Sequence, residues 1–85
     1  MRYTELAVKQ LVRIAKGDKK SATMILDAIE KYASNPKGKH DIKILKGEFS
    51  NFKRLRVGNY RIIFDEDDNI LNIIEVKHRQ EAYHD

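Results

Sequence analysis

Over the first third of the chain the apolar positions keep a helical period, and after residue 40 they alternate. Ala7, Leu11, Ile14 and Ala15 stand at offsets of four, seven and eight, which predicts a short amphipathic helix over 5–16. Gly17 is a natural C-terminal stop, and Asp18 or Ser21 can cap a following helix. That second helix is expected from about 22 to 33, with Ala22, Ile25, Leu26, Ile29 and Ala33 on one face. It ends at "SNP", because a proline pushes the residue before it out of helical geometry. The segments "DIKIL", "FKRLRV", "YRIIF" and "ILNIIEV" are rich in Ile, Val, Leu and aromatics, and they read as strands of an antiparallel meander. "KGEFSN", Gly58-Asn59 and "DEDDN" are the expected connections. Two antiparallel helices present one apolar stripe that needs a partner, and the strands supply it. The expected fold class is α+β: an N-terminal helical hairpin packed on one face of a C-terminal antiparallel β-sheet.

Gly58-Asn59 suits a two-residue hairpin loop, since both residues tolerate positive backbone dihedrals. Val57 then faces Tyr60, Leu55 faces Ile62 and Lys53 faces Phe64, while Arg56 faces Arg61 and Arg54 faces Ile63. Leu55, Val57, Tyr60, Ile62 and Phe64 line one face, and Arg54, Arg56 and Arg61 the other. Adjacent like charges destabilise a sheet unless an anion or a carboxylate comes between them. Two readings follow: a solvated basic face, neutralised in part by Glu75, or a phosphate-binding surface.

At 85 residues the chain is expected to form a single domain: helices over about 5–33, sheet over about 41–77, and a functional tail over 78–85. There is no cysteine, which excludes a disulfide framework, a thiolate zinc site and a cysteine nucleophile. Charges interrupt "MRYTELAVKQLVRIAKG" every few residues, so it lacks the apolar core of a signal peptide, and no later run is long enough to span a bilayer. A cytoplasmic protein with no membrane partner is expected. The net charge of +4 suits a polyanion or an acidic protein partner. Between residues 37 and 61 lie eight lysines and arginines against only Asp41 and Glu48.

The chain closes with "VKHRQEAYHD" directly after the last strand, which places His78, Arg79 and Tyr83 where that strand leaves the sheet. Arginines, a histidine and a tyrosine on one surface suit RNA: arginine holds phosphate and a charged transition state, histidine or tyrosine moves protons, and tyrosine stacks on a base. Cleavage assisted by the ribose hydroxyl needs no metal, and no Asp, Glu and His cluster at ligand spacing suggests one. No metal and no cofactor is expected. Taken singly, each residue also has an ordinary role: a surface histidine, a tail anchor, a loop cap.

With its helical hairpin and "LKGEFSNFKRLRVGNYRIIFDEDDNILNIIEVKHRQEAY", the chain resembles the RelE/ParE superfamily of toxin–antitoxin toxins. The most specific parts are "RLRVGNYRIIF", fitting R-x-R-x-G-x-Y-R, and "HRQEAY", fitting H-R-x-x-x-Y. The resemblance implies a basic cleft on the sheet face opposite the helices. In its RelE branch it implies a metal-independent endoribonuclease that cuts mRNA in the ribosomal A site and is silenced by a cognate acidic antitoxin. Its partners are then the ribosome and mRNA. Arg61 matches the arginine at the scissile phosphate, Arg79 the one assisting the leaving group, and Tyr83 the tyrosine that supports base stacking or 2′-hydroxyl activation. His78 stands where many relatives carry histidine, as a candidate acid or base. Lys53 and Arg54 occupy the segment where some members carry catalytic lysines. They join Arg56 and Lys46 as expected phosphate contacts, since an arginine cannot act as a base at neutral pH. "HRQEAY" favours the RelE branch. The alternatives are a ParE-like DNA gyrase inhibitor that performs no chemistry, and a relative that binds RNA without cutting. Only "MRYT" precedes the first helix, where members usually open with a full strand, so a short sheet edge is expected.

Overall fold

The structure is a computed structural model and describes residues 1–45 and 52–80. Its elements in chain order are β1 (Arg2–Tyr3), α1 (Glu5–Gly17), α2 (Lys19–Ser34), β2 (Ile42–Ile44), β3 (Lys53–Val57), β4 (Tyr60–Asp67) and β5 (Ile70–His78). The helical hairpin packs on one face of the sheet, as the sequence pattern implies.

Thr4 starts α1: its Oγ1 accepts the Ala7 N–H at 3.1 Å, and its hydroxyl donates to the Ile74 carbonyl at 2.6 Å. That carbonyl lies at an irregularity in the β4–β5 ladder, where Ile63 faces Glu75 but Phe64 faces Ile73, so Ile74 is the extra residue. One side chain therefore caps the helix and satisfies the bulge. Thr4→Ala is expected to cost about 1–2 kcal/mol, read as a lowered urea midpoint; an unchanged midpoint refutes this double role.

The second helix begins at Lys19, three residues ahead of the expected start. The reason is Asp18, which serves both helices. Its N–H donates to the Ile14 carbonyl at 2.6 Å to close α1, and its carboxylate accepts the Ser21 N–H at 3.1 Å and the Ser21 hydroxyl at 2.5 Å to open α2. Those two bonds hold the Asp18 carboxyl below its ordinary range.

Strand order in the sheet is β1-β5-β4-β3-β2. The meander is antiparallel throughout, but the sheet as a whole is mixed, because β1 runs parallel to β5 at one edge, with Arg2 opposite Asn72 and Tyr3 opposite Ile73. Two residues carry no legible period, so the alternation alone did not reveal this strand. "DEDDN" proves to be mostly strand: β4 runs to Asp67, and only Asp68 and Asn69, at φ 50° and 66°, make the turn. The "KGEFSN" connection lies outside the described residues.

Ala7, Ile25, Ile29 and Tyr32 of the helices meet Leu55, Ile62, Phe64, Leu71, Ile73 and Val76 of the sheet in one core. Full burial of each large apolar side chain stabilises by about 1.5–3 kcal/mol. The predicted helical stripes need four corrections: Ala15 and Ala33 are exposed, Leu26 is 40% exposed, and Tyr32 is the buried residue that was missed. Tyr32 continues the Ile25–Ile29 stripe, and its hydroxyl finds a partner at the sheet.

A candidate functional site on the open face of the sheet

The β3–β4 hairpin sets the site. Gly58 has φ 56°, and Asn59 lies outside the left-handed region, the pattern of a type II′ loop rather than one with positive φ at both positions. Space around Gly58 is open, so Gly58→Ala strains only the backbone. A loss of about 1 kcal/mol is expected in chemical denaturation, and stabilisation contradicts the assignment.

The register follows from the loop. Val57 faces Tyr60, Leu55 faces Ile62, Lys53 faces Phe64, Arg56 faces Arg61 and Arg54 faces Ile63, as the alternation predicts. On β5, Lys77 is the partner of Arg61. Arg56, Arg61 and Lys77 thus form one row across three strands, on the face turned away from the helices. Like charges placed opposite one another on a sheet oppose folding.

Carboxylates temper the row unevenly. Asp41 Oδ1 lies 3.3 Å from Arg54 Nη1, and Asp41 Oδ2 lies 4.0 Å from Arg56 Nε. The Asp41 carbonyl also accepts the Arg56 N–H at 2.9 Å. Glu75, expected to neutralise the arginines, instead pairs with Lys77 at 3.7 Å. Among the described residues Arg61 reaches only the Tyr60 carbonyl, at 3.5 Å, and no carboxylate forms an ion pair with it. Arg61 therefore offers an approaching anion the least contested guanidinium of the row.

Two candidate residues lie on the opposite side. Lys53 faces the helices, where its Nζ donates to Glu66 Oε1 at 2.9 Å. The Tyr32 hydroxyl donates to the same oxygen at 2.5 Å, and the His40 ring stands edge-on to Tyr32. The Tyr32 bond, aided by Lys53 and opposed by burial, holds the Glu66 carboxyl below its ordinary 4.5. A depressed carboxylate contributes stability that is full above the unfolded value and is lost as pH falls through the folded one. Glu66→Gln should therefore flatten the acid limb of stability against pH, measured as urea midpoints from about pH 6 down to about pH 3. An unchanged limb excludes the network as a stabilising unit.

His78 is the second. It is the β5 partner of Tyr60, with ring centroids 5.2 Å apart at 90°. Together with Gln10, Arg13, Ile14 and Val76 these rings line a cavity of about 310 Å³ on the helix side. The Gln80 N–H donates to His78 Nδ1 at 3.3 Å. The expected convergence of His78 with the arginines does not occur, because position 78 shares a face with Val76 and not with Lys77. Arg79 is exposed beyond the ladder, its N–H donating to the Asn59 carbonyl at 2.6 Å beside the hairpin loop. Arg54 is on the arginine face but largely buried there. Lys46 and Tyr83 lie outside the described residues. The residue that sequence reasoning missed is Asp41. Nothing local to Asp41 announces it; only the pairing of Ile42 with Leu55 brings the preceding residue beside Arg56.

A family model described as "ParE toxin of type II toxin-antitoxin system, parDE" matches residues 1–83. The chain belongs to the RelE/ParE superfamily of toxins. "Toxin RelE3" of Methanocaldococcus jannaschii is 31% identical over 81 residues, covering 95% of this chain and 91% of its own. Among solved structures, a YoeB/ParE toxin from Agrobacterium tumefaciens superposes with a TM-score of 0.80 at 18% identity, covering 95% of each chain. A chain of a RelB–RelE antitoxin–toxin complex from Methanococcus jannaschii does so with a TM-score of 0.76 at 24% identity, over 99% of this chain and 100% of the other. These superpositions show a shared fold. Among the described residues no helix is long and apolar enough to cross a membrane.

Proposed function

We propose that the chain is the toxin of a type II toxin–antitoxin pair and acts by binding through its open face, without cutting. The observation that carries this reading is the division of the candidate groups: Arg56, Arg61 and Lys77 share one side of the sheet, while the His78 imidazole and the Lys53 ammonium lie on the other. General acid–base chemistry needs its proton donors within hydrogen-bond reach of the atoms that react. Among the described residues, the open face offers cations for binding. The ParE family match supports the same reading, and in that branch the target is DNA gyrase, inhibited without chemistry.

Gyrase supercoiling tests it. The purified toxin is expected to inhibit supercoiling, and Arg61→Ala to weaken the inhibition by about tenfold to a hundredfold; full gyrase activity at excess toxin overturns the reading.

A second reading is favoured by the cation row itself and by the 31% identical relative that carries a RelE name. In that reading the toxin is a metal-independent endoribonuclease acting on mRNA in the ribosomal A site. Arg61 holds the scissile phosphate, Arg79 assists the leaving group, Tyr83 stacks or activates the 2′-hydroxyl, and His78 serves as acid or base. Arg56 and Lys46 then contact the backbone, while the largely buried Arg54 and the helix-facing Lys53, both expected there, stand away from it.

In either reading the silencing partner is an acidic, amphipathic antitoxin. Solved relatives in antitoxin complexes support this, as do Leu6, Val8 and Val12, which leave apolar surface exposed on α1. Calorimetric titration with the neighbouring gene's product should show binding, and its absence counts against the toxin assignment.

A further inference from the structure

We propose that Asp41 is the open face's own counter-ion: it stands where an anion would approach Arg56, and so sets how tightly the face holds a nucleic-acid phosphate backbone. The inference rests on the second reading above, in which the open face contacts a phosphate backbone.

The three side chains differ in exposure. Arg54 is 10% exposed, Arg56 52% and Asp41 55%. A guanidinium largely out of water needs a carboxylate at all times, so the Asp41–Arg54 contact at 3.3 Å is structural. Arg56 is half in water and at the outer limit of the same carboxylate's reach, at 4.0 Å, where the attraction is weak and screened. The Asp41 main chain is held by its carbonyl's bond to the Arg56 N–H, and its carboxylate by the contact with Arg54. A phosphate coming to Arg56 therefore meets a fixed negative charge. One to Arg61, the next position in the row, meets no carboxylate paired to that guanidinium among the described residues, since Glu75 on the neighbouring strand is engaged by Lys77. Asp41 thus grades the row: Arg61 is open to an anion and Arg56 is attenuated. It acts through Arg56 and is a positioning residue.

Anisotropy of a labelled uridine oligoribonucleotide across a salt series tests this. The proteins compared are the wild type, Asp41→Asn, Arg56→Gln, Arg61→Gln and the Asp41→Asn/Arg56→Gln double variant. Asparagine keeps the shape and an oxygen for Arg54 while removing the charge. Asp41→Asn should bind about two- to fivefold tighter. Its plot of log affinity against log salt should steepen by about 0.7, the signature of one more phosphate contact on a single strand. Arg56→Gln should matter little in the wild type but reverse the gain in the double variant, a coupling that a merely structural Asp41 does not produce. Unchanged affinity and slope in a folded Asp41→Asn overturn the inference. Should Asp41→Asn fail to fold, an Arg56→Gln loss as large as that of Arg61→Gln overturns it instead, and a much smaller loss supports it. Undiminished binding in Arg61→Gln removes the open face as the working surface, whereas a loss there with no effect at Asp41 defeats the inference alone.

Discussion

Phe64→Ala is expected to destabilise the fold by about 3–5 kcal/mol, lowering the urea midpoint by about 2 M. Phe64 is 1% exposed and sits at mid-sheet, with Lys53 and Ile73 as register partners and its ring 5.1 Å from that of Tyr32. Truncation removes buried apolar surface and leaves a cavity between α2 and the sheet that close-packed neighbours fill only in part. A chain of this length has about 4–13 kcal/mol of stability in all, so the variant loses a large share of it. Tyr32 makes the effect larger than apolar area alone implies, because the ring that fixes its hydroxyl on Glu66 rests on Phe64. A midpoint shift below about 0.5 M contradicts this account of the core.

Arg61→Ala is expected to leave the fold intact and lower affinity for the toxin's target by about tenfold to a hundredfold. Hydrogen bonds to a charged group contribute about 1.5–3 kcal/mol, and no ion-paired carboxylate among the described residues already neutralises this guanidinium. Removing it also relieves repulsion with Arg56 and Lys77, its neighbours on either side, so the urea midpoint should hold or rise. Undiminished growth arrest on expression of the variant, at equal protein level, contradicts the role given to Arg61. Arg56→Ala should cost less than Arg61→Ala, because Asp41 already attenuates its charge.

The hairpin was the most legible part of the molecule. Alternation from Lys53 to Phe64 and a loop that needs glycine leave one register that buries Leu55, Ile62 and Phe64 together, since a one-residue slip sends all three to solvent. The same period-two count assigns His78 to the helix side once Val76 is seen to be in the core. Grouping His78 with the arginines weighed chemistry above alternation. Asp41 was hidden for a different reason. Its contacts cross from the β2 edge to β3, thirteen residues away for Arg54, and a lone aspartate before a short strand carries no local pattern that announces them. Tyr32 was missed because a tyrosine near a helix end reads as a surface residue until Glu66, thirty-four positions later, supplies its acceptor.

A toxin that binds through the open face without cutting leaves mRNA intact, as we propose for this one. Mapping mRNA 5′ ends in a reconstituted translation reaction tests it most directly. With the wild-type protein added, the predicted result is an unchanged set of ends. New ends phased to codons, dependent on ribosomes and absent with Arg61→Ala, contradict the claim and assign the open face to the RelE chemistry.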